Sequence, residues 1–274
     1  QLARCLAACK KYGIECHVWK VNWNMGSRAP RQFVEQMRRE GTLQVRYDGK
    51  PERWLCPSHP DNQRLEIEAM VEVVRKYDVD GIHFDYIRYP HEQCCFCAGC
   101  RERFERLTGR KIEDWPAGLR RDKQLWQRWL EFRRNNITKV VAAVAERVRR
   151  IRPTVKISAA VFPNWSTARD KVGQDWKLWC ERGYLDFVCP MDYTPDNARF
   201  EQLVRLQKRW AGNVPCYPGI GLSTWPDPTD ICKVIEQIGI TRRLGTGGFT
   251  IFNYGATEAR EVVPLCGKGI TRRR

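Results

Sequence analysis

The sequence lacks a long hydrophobic run and contains few histidines. Its longest apolar stretch lies within Val140–Ala145, far short of the ~20 residues that a membrane-spanning helix requires. The 42% apolar and 29% charged residues exclude global disorder. The 4 histidines form neither a His-x-His nor a His-Glu-x-x-His motif. We therefore expect a globular chain with no membrane span, and we expect that catalysis requires no cofactor.

Negative charge is scarce relative to positive charge. The chain has 48 Lys and Arg residues against 32 Asp and Glu residues, which gives a net charge of +16. Such an excess favours polyanionic partners, such as nucleic acid, an acidic glycan or an anionic surface. The arginines are dispersed along the sequence, and only Arg272–Arg274 form a short basic block. This dispersion argues against nucleic acid as the partner.

Cysteine, by contrast, is abundant, with 13 residues. A chain of 274 residues can build its own core, so a secreted disulfide scaffold is not expected. Cys5, Cys9, Cys189 and Cys216 occupy apolar positions of predicted helices or strands. We expect these four to be small buried hydrophobic residues.

Four further cysteines cluster in one predicted loop insertion, around residues 91–115. Structural zinc requires four Cys or His ligands at the corners of a tetrahedron. We predict a structural zinc site formed by Cys94, Cys95, Cys97 and Cys100. One short loop rarely reaches all four corners, so His59, His91 or Cys56 is an alternative fourth ligand. A disulfide or free thiols are the other interpretations that the spacing leaves open.

Short strand-like runs alternate with longer amphipathic helices along the chain. This order predicts parallel strands joined by right-handed crossovers. We predict an α/β fold of the TIM-type (β/α) barrel, with six of its eight units present in a single domain over residues 1–274. Either the architecture is open or the first two units lie upstream of Gln1, and the amphipathic helix predicted at the start of the chain favours the second interpretation. The predicted strands are Cys16–Trp23, Gly81–Tyr89, Val155–Phe162, Leu185–Tyr193, Val214–Gly221 and Gly248–Tyr254.

Two helices are predicted from helical spacing and from their ends. Leu65–Tyr77 carries the apolar face Leu65, Met70, Val73 and Tyr77, preceded by Ser58 and Asp61 as a capping box. The longest helix spans about Lys123–Ile151 and stops before Pro153, because the residue before proline disfavours helical geometry.

A polar face interrupts the predicted strand Gly81–Tyr89. Strands of a parallel barrel are buried on both faces, yet His83 and Asp85 share one face here. Burial of Asp85 costs several kcal/mol unless the carboxylate is paired or hydrogen-bonded. Because active sites form at the C-terminal ends of barrel strands, we predict that Asp85 is catalytic. A structural carboxylate satisfied by Arg88 or by backbone amides is the alternative.

The segment Tyr77–Pro90 resembles the signature of the glycosyl-hydrolase-like family 10, a family of TIM barrels. The resemblance extends over nearly the whole chain and implies that the first two strands of the family are missing. It also implies hydrolysis of glycosidic bonds, in bacterial cell-wall glycan for characterised relatives, and a location outside the cytoplasm. The other matching segments are residues 16–22, 54–60, 129–136, 152–158, 183–193, 215–221 and 247–253.

Hydrolysis of a glycosidic bond normally requires two carboxyl groups that flank the bond. Asp85 is the first candidate, as nucleophile or base. Asp192, at the end of the predicted strand Leu185–Tyr193, is predicted to be its catalytic partner, although a strand-end Asp also serves to cap turns. Glu92 is a spare acidic candidate. The sequence leaves open which group is the acid, because the acid needs a raised pKa from a drier environment.

Aromatic and amide side chains accumulate near the predicted strand ends. Aromatic faces pack against the C–H faces of sugar rings, and amides bind hydroxyl groups by hydrogen bonds. For each aromatic residue taken singly, a place in the core is an equally good interpretation. The predicted substrate contacts are Trp19, Asn22, His83, Tyr86, Tyr89, Asn164, Trp165, Tyr193, Asn253 and Tyr254.

A chitinase-type barrel is the nearest alternative enzyme. His83 stands where its Asp-Gly-x-Asp-x-Asp-x-Glu motif has the middle Asp, and Ile87 stands where it has the acidic Glu. We therefore predict a glycoside hydrolase-like enzyme that cleaves O-glycosidic bonds in a polysaccharide. A barrel that binds carbohydrate without catalysis is the principal alternative, and a nucleic-acid binder is the third.

Overall fold

The computed structural model describes residues 1–271, so the basic block Arg272–Arg274 lies outside the described residues. Two compact units divide the described chain. Residues 1–157 and 166–175 form the first unit, and residues 158–165 together with those from 176 onward form the second. The single domain expected over residues 1–274 stays a prediction.

The first unit combines a parallel strand pair with an antiparallel hairpin and several helices. Strand β1 pairs in parallel with β4, and Val21 lies opposite Asp85 in this ladder. Strands β2 and β3 form the antiparallel hairpin. The elements in chain order are α1 (Leu2–Tyr12), β1 (His17–Val21), α2 (Arg31–Arg39), β2 (Leu43–Val45), β3 (Pro51–Leu55), α3 (Pro60–Lys76), β4 (Gly81–Asp85), α4 (Ala98–Thr108), α5 (Ala117–Arg121) and α6 (Lys123–Ile151).

The second unit is built on parallel pairing. Strand β5 (Lys156–Val161) and helix α7 (Trp165–Lys171) contain residues of both units. Within the second unit, residues 158–161 of β5 pair with β6, and β7 pairs with β8. The remaining elements are α8 (Trp176–Glu181), β6 (Phe187–Pro190), α9 (Asn197–Ala211), β7 (Gly219–Ile220), α10 (Ile231–Arg243), β8 (Thr250–Ile251) and α11 (Val263–Lys268), with a 3-10 turn at Leu222–Thr224 and a π turn at Glu258–Val262.

The six predicted strands each contain one observed strand, and all six are parallel to a neighbour. That they make up six of the eight units of a barrel stays a prediction. The hairpin β2–β3 was not predicted. Its strands are short, and β3 begins with a proline, which a strand search discounts.

Helix α6 has the predicted bounds. Asp122 caps its N-terminus, where the carboxylate accepts the backbone N–H groups of Gln124 and Leu125 at 2.9 and 3.0 Å. The helix ends at Ile151, shortly before Pro153. The helical spacing predicts an apolar face of Ile137, Val140, Val141, Val144, Val148 and Ile151; all of these are buried except Ile151, which is 39% exposed at the helix end, and the helix also buries Trp129. Both ends and most of the buried face were therefore accessible from the sequence.

Helix α3 differs from its prediction in two respects. His59, and not Ser58, is the N-cap, because its Nδ1 accepts the N–H of Asp61 at 3.3 Å. The buried face is rotated, since Leu65 is 46% exposed whereas Glu66 is 3% exposed. The helix therefore presents a polar side chain to the interior, which an apolar pattern search overlooks.

Two further expectations are wrong in part. The predicted loop insertion around residues 91–115 contains helix α4, which ends at Gly109 in the left-handed conformation that suits glycine (φ 69°). Among the cysteines expected to be buried, Cys189 and Cys216 are buried, but Cys5 is exposed and Cys9 is half-buried. The reason is that α1 buries none of its residues.

A membrane span requires a helix that is both long and strongly hydrophobic, and no helix within residues 1–271 meets both conditions.

Candidate active site

Asp85 is the last residue of β4 and is almost fully buried. One carboxylate oxygen accepts the indole N–H of Trp19 at 3.0 Å, and the other accepts the backbone N–H of Tyr86 at 2.6 Å. Burial raises the pKa of Asp85 above its ordinary value, although these two hydrogen bonds and the charge of Arg88 act in the opposite direction. The carboxylate is thus held in a fixed position by two donors, at a strand end.

Three aromatic side chains lie near the end of β4: Trp19, which donates to Asp85, Tyr86, which follows it in sequence, and Trp54, which packs against Tyr86. Trp19 is 57% exposed. The rings of Trp54 and Tyr86 lie 5.6 Å apart, and the guanidinium of Arg88 lies over both rings at 5.6 and 5.1 Å. We call Trp19, Trp54 and Tyr86 the Asp85 aromatic group. Trp54 was not predicted as a site residue, because it belongs to the hairpin that the sequence did not reveal.

The backbone at Tyr86 has an unusual conformation. Its φ of 55° lies in the left-handed region, which a bulky side chain occupies at a cost of ~1–3 kcal/mol. The bond from its N–H to Asp85 and a 2.7 Å bond from the N–H of Arg88 to its carbonyl oxygen hold this conformation. Such strain concentrates at functional sites, which supports a functional role for the end of β4.

Glu66 is a buried carboxylate that the sequence did not single out. Its side chain accepts the Nδ2 of Asn22 at 2.7 Å, the backbone N–H of Trp23 at 3.0 Å and the ammonium of Lys20. The backbone N–H of Asn22 in turn donates to the carbonyl oxygen of Asp85 at 2.8 Å. Glu66 therefore anchors the segment that follows β1 beside Asp85. Asn62, Glu66 and Met70 follow one another at i, i+4 spacing and are all buried on helix α3. This spacing was the signal in the sequence that Glu66 lies on a buried face.

The structure corrects two predicted substrate contacts in this unit. Asn22 is 0% exposed and is hydrogen-bonded to Glu66, so it cannot reach a sugar hydroxyl. Tyr89 is 1% exposed, and its ring lies 4.4 Å from the guanidinium of Arg133. Both residues are therefore part of the packing. Their positions near strand ends were visible in the sequence, but their burial was not.

His83, Trp19 and Tyr86 stay predicted substrate contacts. His83 lies on the same face of β4 as Asp85, and burial lowers the pKa of its imidazole to about 4. The ring is therefore neutral at pH 7 and can donate or accept a hydrogen bond. Glu92, the spare acidic candidate, is an exposed residue beyond the strand.

In the second unit, Asp192 lies two residues beyond β6 and is 1% exposed. The side-chain amide of Gln207 donates to its Oδ1 at 2.6 Å. Its Oδ2 has no hydrogen-bond partner among the described residues. Burial raises the pKa of Asp192 well above its ordinary value, so this carboxyl keeps its proton to higher pH than an exposed aspartate does.

An open aromatic pair also lies in the second unit. The rings of Tyr193 and Phe252 stack with centroids 4.8 Å apart and planes 14° apart. Gly221 leaves room for Tyr193, because a Cβ at this glycine would lie 2.4 Å from the Cβ of Tyr193. Of the predicted contacts nearby, Asn253 is exposed and Tyr254 is 75% exposed. The roles of Tyr193, Asn253 and Tyr254 as substrate contacts stay predictions.

The remaining predicted contacts, Asn164 and Trp165, are half-buried and follow β5. The ring of Trp165 lies 5.9 Å from that of Trp210, and the ammonium of Lys177 lies 5.4 Å from its centroid. Trp165 thus has partners on two sides, and its role as a substrate contact stays a prediction.

The raised pKa of Asp192 predicts how stability depends on pH. Between the unfolded-state pKa of ~3.9 and the higher folded-state value, the folded chain binds a proton that the unfolded chain has lost. The free energy of unfolding therefore falls as the pH rises through this window, by up to ~1.4 kcal/mol per pH unit. We expect Asp192→Asn to gain stability relative to the wild type as the pH rises above ~4, as measured by urea unfolding.

Asp227→Asn is the matched control for this prediction. Asp227 belongs to the same unit, but hydrogen bonds from Thr229 lower the pKa of this exposed carboxylate. Its titration is complete below this pH range, so its effect on stability should not change there. Equal pH dependence of the Asp192→Asn variant and the wild type would contradict the prediction.

The cysteine cluster differs from the predicted ligand set. Cys56, Cys95, Cys97 and Cys100 are buried, and their sulfur atoms all lie within 4.8 Å of one another. Cys94 is not a member of this group, and its sulfur lies 4.0 Å from the Nε2 of His91. The correction has a simple reason. Adjacent side chains point in different directions, and Cys56 reaches the group from the end of β3.

Comparisons with known proteins agree with the sequence resemblance. A model of the family described as glycosyl hydrolase-like 10 matches residues 2–222. Glycosyl hydrolase YngK of Bacillus subtilis is 22% identical over 216 residues, which are 69% of this chain and 39% of that protein. Glycosyl hydrolase DigH of Escherichia coli K12 is 27% identical over 196 residues, which are 65% of this chain and 41% of that protein. The chain thus spans less than half the length of these relatives.

The fold is shared with solved glycoside hydrolases. The glycoside hydrolase domain of PgaB (BpsB) from Bordetella bronchiseptica superimposes with a TM-score of 0.70 at 16% identity, over 89% of this chain and 72% of that domain. The structural neighbours are TIM-barrel glycoside hydrolases, and the likeness shows that this chain has an α/β fold of the same kind. Because the family model matches most of its length, the chain belongs to the glycosyl hydrolase-like 10 family.

Proposed function

We propose that the chain hydrolyses O-glycosidic bonds in a polysaccharide, with bacterial cell-wall glycan as the expected substrate. The observation that carries the proposal is Asp85, a nearly buried carboxylate at a strand end that is held by two N–H donors beside the Asp85 aromatic group. A carboxylate next to an exposed indole and two half-buried aromatic rings suits an enzyme that both binds a sugar ring and attacks its anomeric carbon.

The two carboxyl groups have environments that suit different roles. Asp85 accepts two N–H hydrogen bonds, which favour its ionised form, so we assign it as the nucleophile or the base. Asp192 accepts one hydrogen bond and is more deeply buried, which favours its protonated form. We therefore assign Asp192 as the acid that donates a proton to the leaving oxygen. Retention or inversion of the anomeric configuration in the product then distinguishes a nucleophilic Asp85 from a basic one.

The charge of the chain supports an acidic glycan. The net charge of +16 attracts polyanions, and cell-wall glycan without its peptides carries a carboxylate on alternate sugars. An uncharged glycan such as chitin lacks this attraction.

The test is the release of reducing ends from peptide-free cell-wall glycan by the purified chain. We expect turnover on this glycan, weak turnover on chitin, and a loss of the preference at high salt, because salt screens the attraction. Tight binding of the glycan without any release of reducing ends would contradict hydrolysis and favour the carbohydrate-binding alternative. Binding only to nucleic acid would contradict both.

The indole of Trp19 predicts a shift in the pH profile. Its N–H lowers the pKa of Asp85, so Trp19→Phe keeps an aromatic ring but should raise this pKa. We expect the acidic limb of the kcat/KM profile to move to higher pH. Trp54→Phe is the matched control, because Trp54 belongs to the same aromatic group but has no hydrogen bond to Asp85 among the described residues. The same limb in wild type and Trp19→Phe would contradict the role of Asp85 as an ionised group.

A further inference from the structure

Four buried thiols converge in the first unit, and the proposed hydrolysis does not use them. The sulfur of Cys56 lies 3.4 Å from that of Cys100 and 3.7 Å from those of Cys95 and Cys97. The exposure of these four residues is at most 5%. We call Cys56, Cys95, Cys97 and Cys100 the thiol group.

The spacing within the thiol group fits a single tetrahedral metal ion. Zn–S bonds of ~2.3 Å directed to the corners of a tetrahedron place the sulfur atoms ~3.8 Å apart. The separations around Cys56 are close to this value. A disulfide would require ~2.05 Å, and an iron–sulfur cluster would need wider spacing, because iron and sulfide atoms lie between its thiolates.

The sulfur atoms are also surrounded by hydrogen-bond donors. The N–H of Val45 donates to the sulfur of Cys95, and the N–H of Cys100 donates to that of Cys97, both at 3.4 Å. Cys97 and Cys100 lie at the N-terminus of α4, whose dipole favours negative charge. A group of neutral apolar thiols needs no such donors, whereas thiolates bound to a metal do.

Ser58 connects two of the thiols to an arginine. Its hydroxyl oxygen lies 3.2 Å from the sulfur of Cys56 and 3.1 Å from that of Cys100. The same oxygen accepts the Nε and Nη2 of Arg103 at 3.1 and 3.0 Å. Because Arg103 occupies its acceptor positions, the hydroxyl proton is directed to a sulfur. Ser58 is therefore placed to support a thiolate from outside the group of ligands.

A second arginine supplies buried positive charge. Arg133 is 1% exposed, and its charge acts on the thiols of Cys95 and Cys100. Its guanidinium donates to backbone carbonyl oxygens, and no carboxylate within residues 1–271 forms an ion pair with it. A buried cation without an acidic partner is costly. Four thiolates with one Zn²⁺ carry a net charge of −2, which compensates this cation.

We propose that Cys56, Cys95, Cys97 and Cys100 bind one structural Zn²⁺ ion. The four thiols release their protons to solvent when the ion binds. All four positions of the ion are filled by protein and are closed to water, so the site does not catalyse hydrolysis. Cys56 directly follows β3, which carries Trp54, and the other three ligands lie in or after the loop beyond β4. The ion thus links the hairpin β2–β3 to the segment that follows Asp85. It thereby holds in place the two parts of the chain that carry Trp54 and Tyr86.

The first experiment uses the wild-type chain. We expect one equivalent of zinc in the purified protein by mass spectrometry of the metal, and four sulfur neighbours at ~2.3 Å in the zinc X-ray absorption spectrum. Replacement by Co²⁺ should give the intense visible bands of a tetrahedral thiolate site. A first shell that contains nitrogen or oxygen would overturn the proposal in favour of Glu52, His91 and Cys94, which form a neighbouring group. Equimolar iron, a disulfide, or four thiols that react freely in the folded chain would also overturn it.

Variants then test the ligand set. Cys56→Ser should lose stoichiometric zinc, whereas Cys94→Ser is the matched control and should retain it. Ser58→Ala removes no ligand, and we expect it to weaken zinc binding by ~10- to 100-fold in competition with a chelator while the chain stays folded. Unchanged zinc affinity in Ser58→Ala, or loss of zinc in Cys94→Ser alone, would contradict the assignment. None of these measurements depends on hydrolysis, so the zinc proposal and the proposed function can fail separately.

Discussion

Asp85→Asn is expected to reduce kcat/KM for glycan hydrolysis by ~10³-fold or more, with no loss of the fold. The amide keeps the size of the side chain, and its single oxygen can accept one of the two N–H groups that Asp85 binds, that of Trp19 or that of Tyr86. The amide can neither attack the anomeric carbon nor accept a proton. A side chain that transfers a proton in catalysis contributes ~10²- to 10⁴-fold to the rate. The measurement is the rate of reducing-end release, together with circular dichroism of the variant.

The control for this prediction is Glu92→Gln. Glu92 is an exposed acidic residue beyond the same strand, and it makes no hydrogen bond to Asp85 within the described chain. We expect turnover close to that of the wild type. Full activity in Asp85→Asn would refute its catalytic role, and inactivity of Glu92→Gln alone would transfer that role to Glu92.

Glu66→Ala is expected to destabilise the protein by ~3–5 kcal/mol, because it leaves the buried groups that Glu66 binds without their acceptor. These groups are the side-chain amide of Asn22 and the backbone N–H of Trp23, and the half-buried ammonium of Lys20 also loses its partner. Water cannot replace the lost acceptor, since Glu66 is 3% exposed. The measurement is the free energy of unfolding from urea titration. Activity should fall as well, because Asn22 is bonded to the backbone of Asp85.

Glu68→Ala is the matched control on the same helix. Glu68 pairs with Arg147 at the surface, where water can solvate both charges. Its removal should have little effect on stability. Equal destabilisation by the two variants would show that burial does not increase the contribution of Glu66 to stability.

Much of the fold was predictable because it depends on local periodicity. The six strands and the bounds of α6 follow from alternation, helical spacing and the proline beyond the helix end. The hairpin β2–β3 was missed because its strands are short, and α4 was missed because its cysteines suggested a loop. The rotated face of α3 was missed because its buried side includes Asn62 and Glu66. An apolar pattern does not reveal a polar residue that is buried with partners.

The α/β order of the elements, the family, and Asp85 as a polar residue at the end of an apolar strand could be inferred from the linear sequence. The folded structure was needed to show that Glu66 supports Asp85, that Asn22 and Tyr89 are buried, and that Cys56 takes the place of Cys94 in the thiol group. The difference follows from the range of the interactions. Periodicity and capping act between residues a few positions apart, so they can be recognised along the chain. Cys56 and Cys100 meet because a hairpin and a helix end pack together, and nothing in the neighbouring residues of either one specifies that contact.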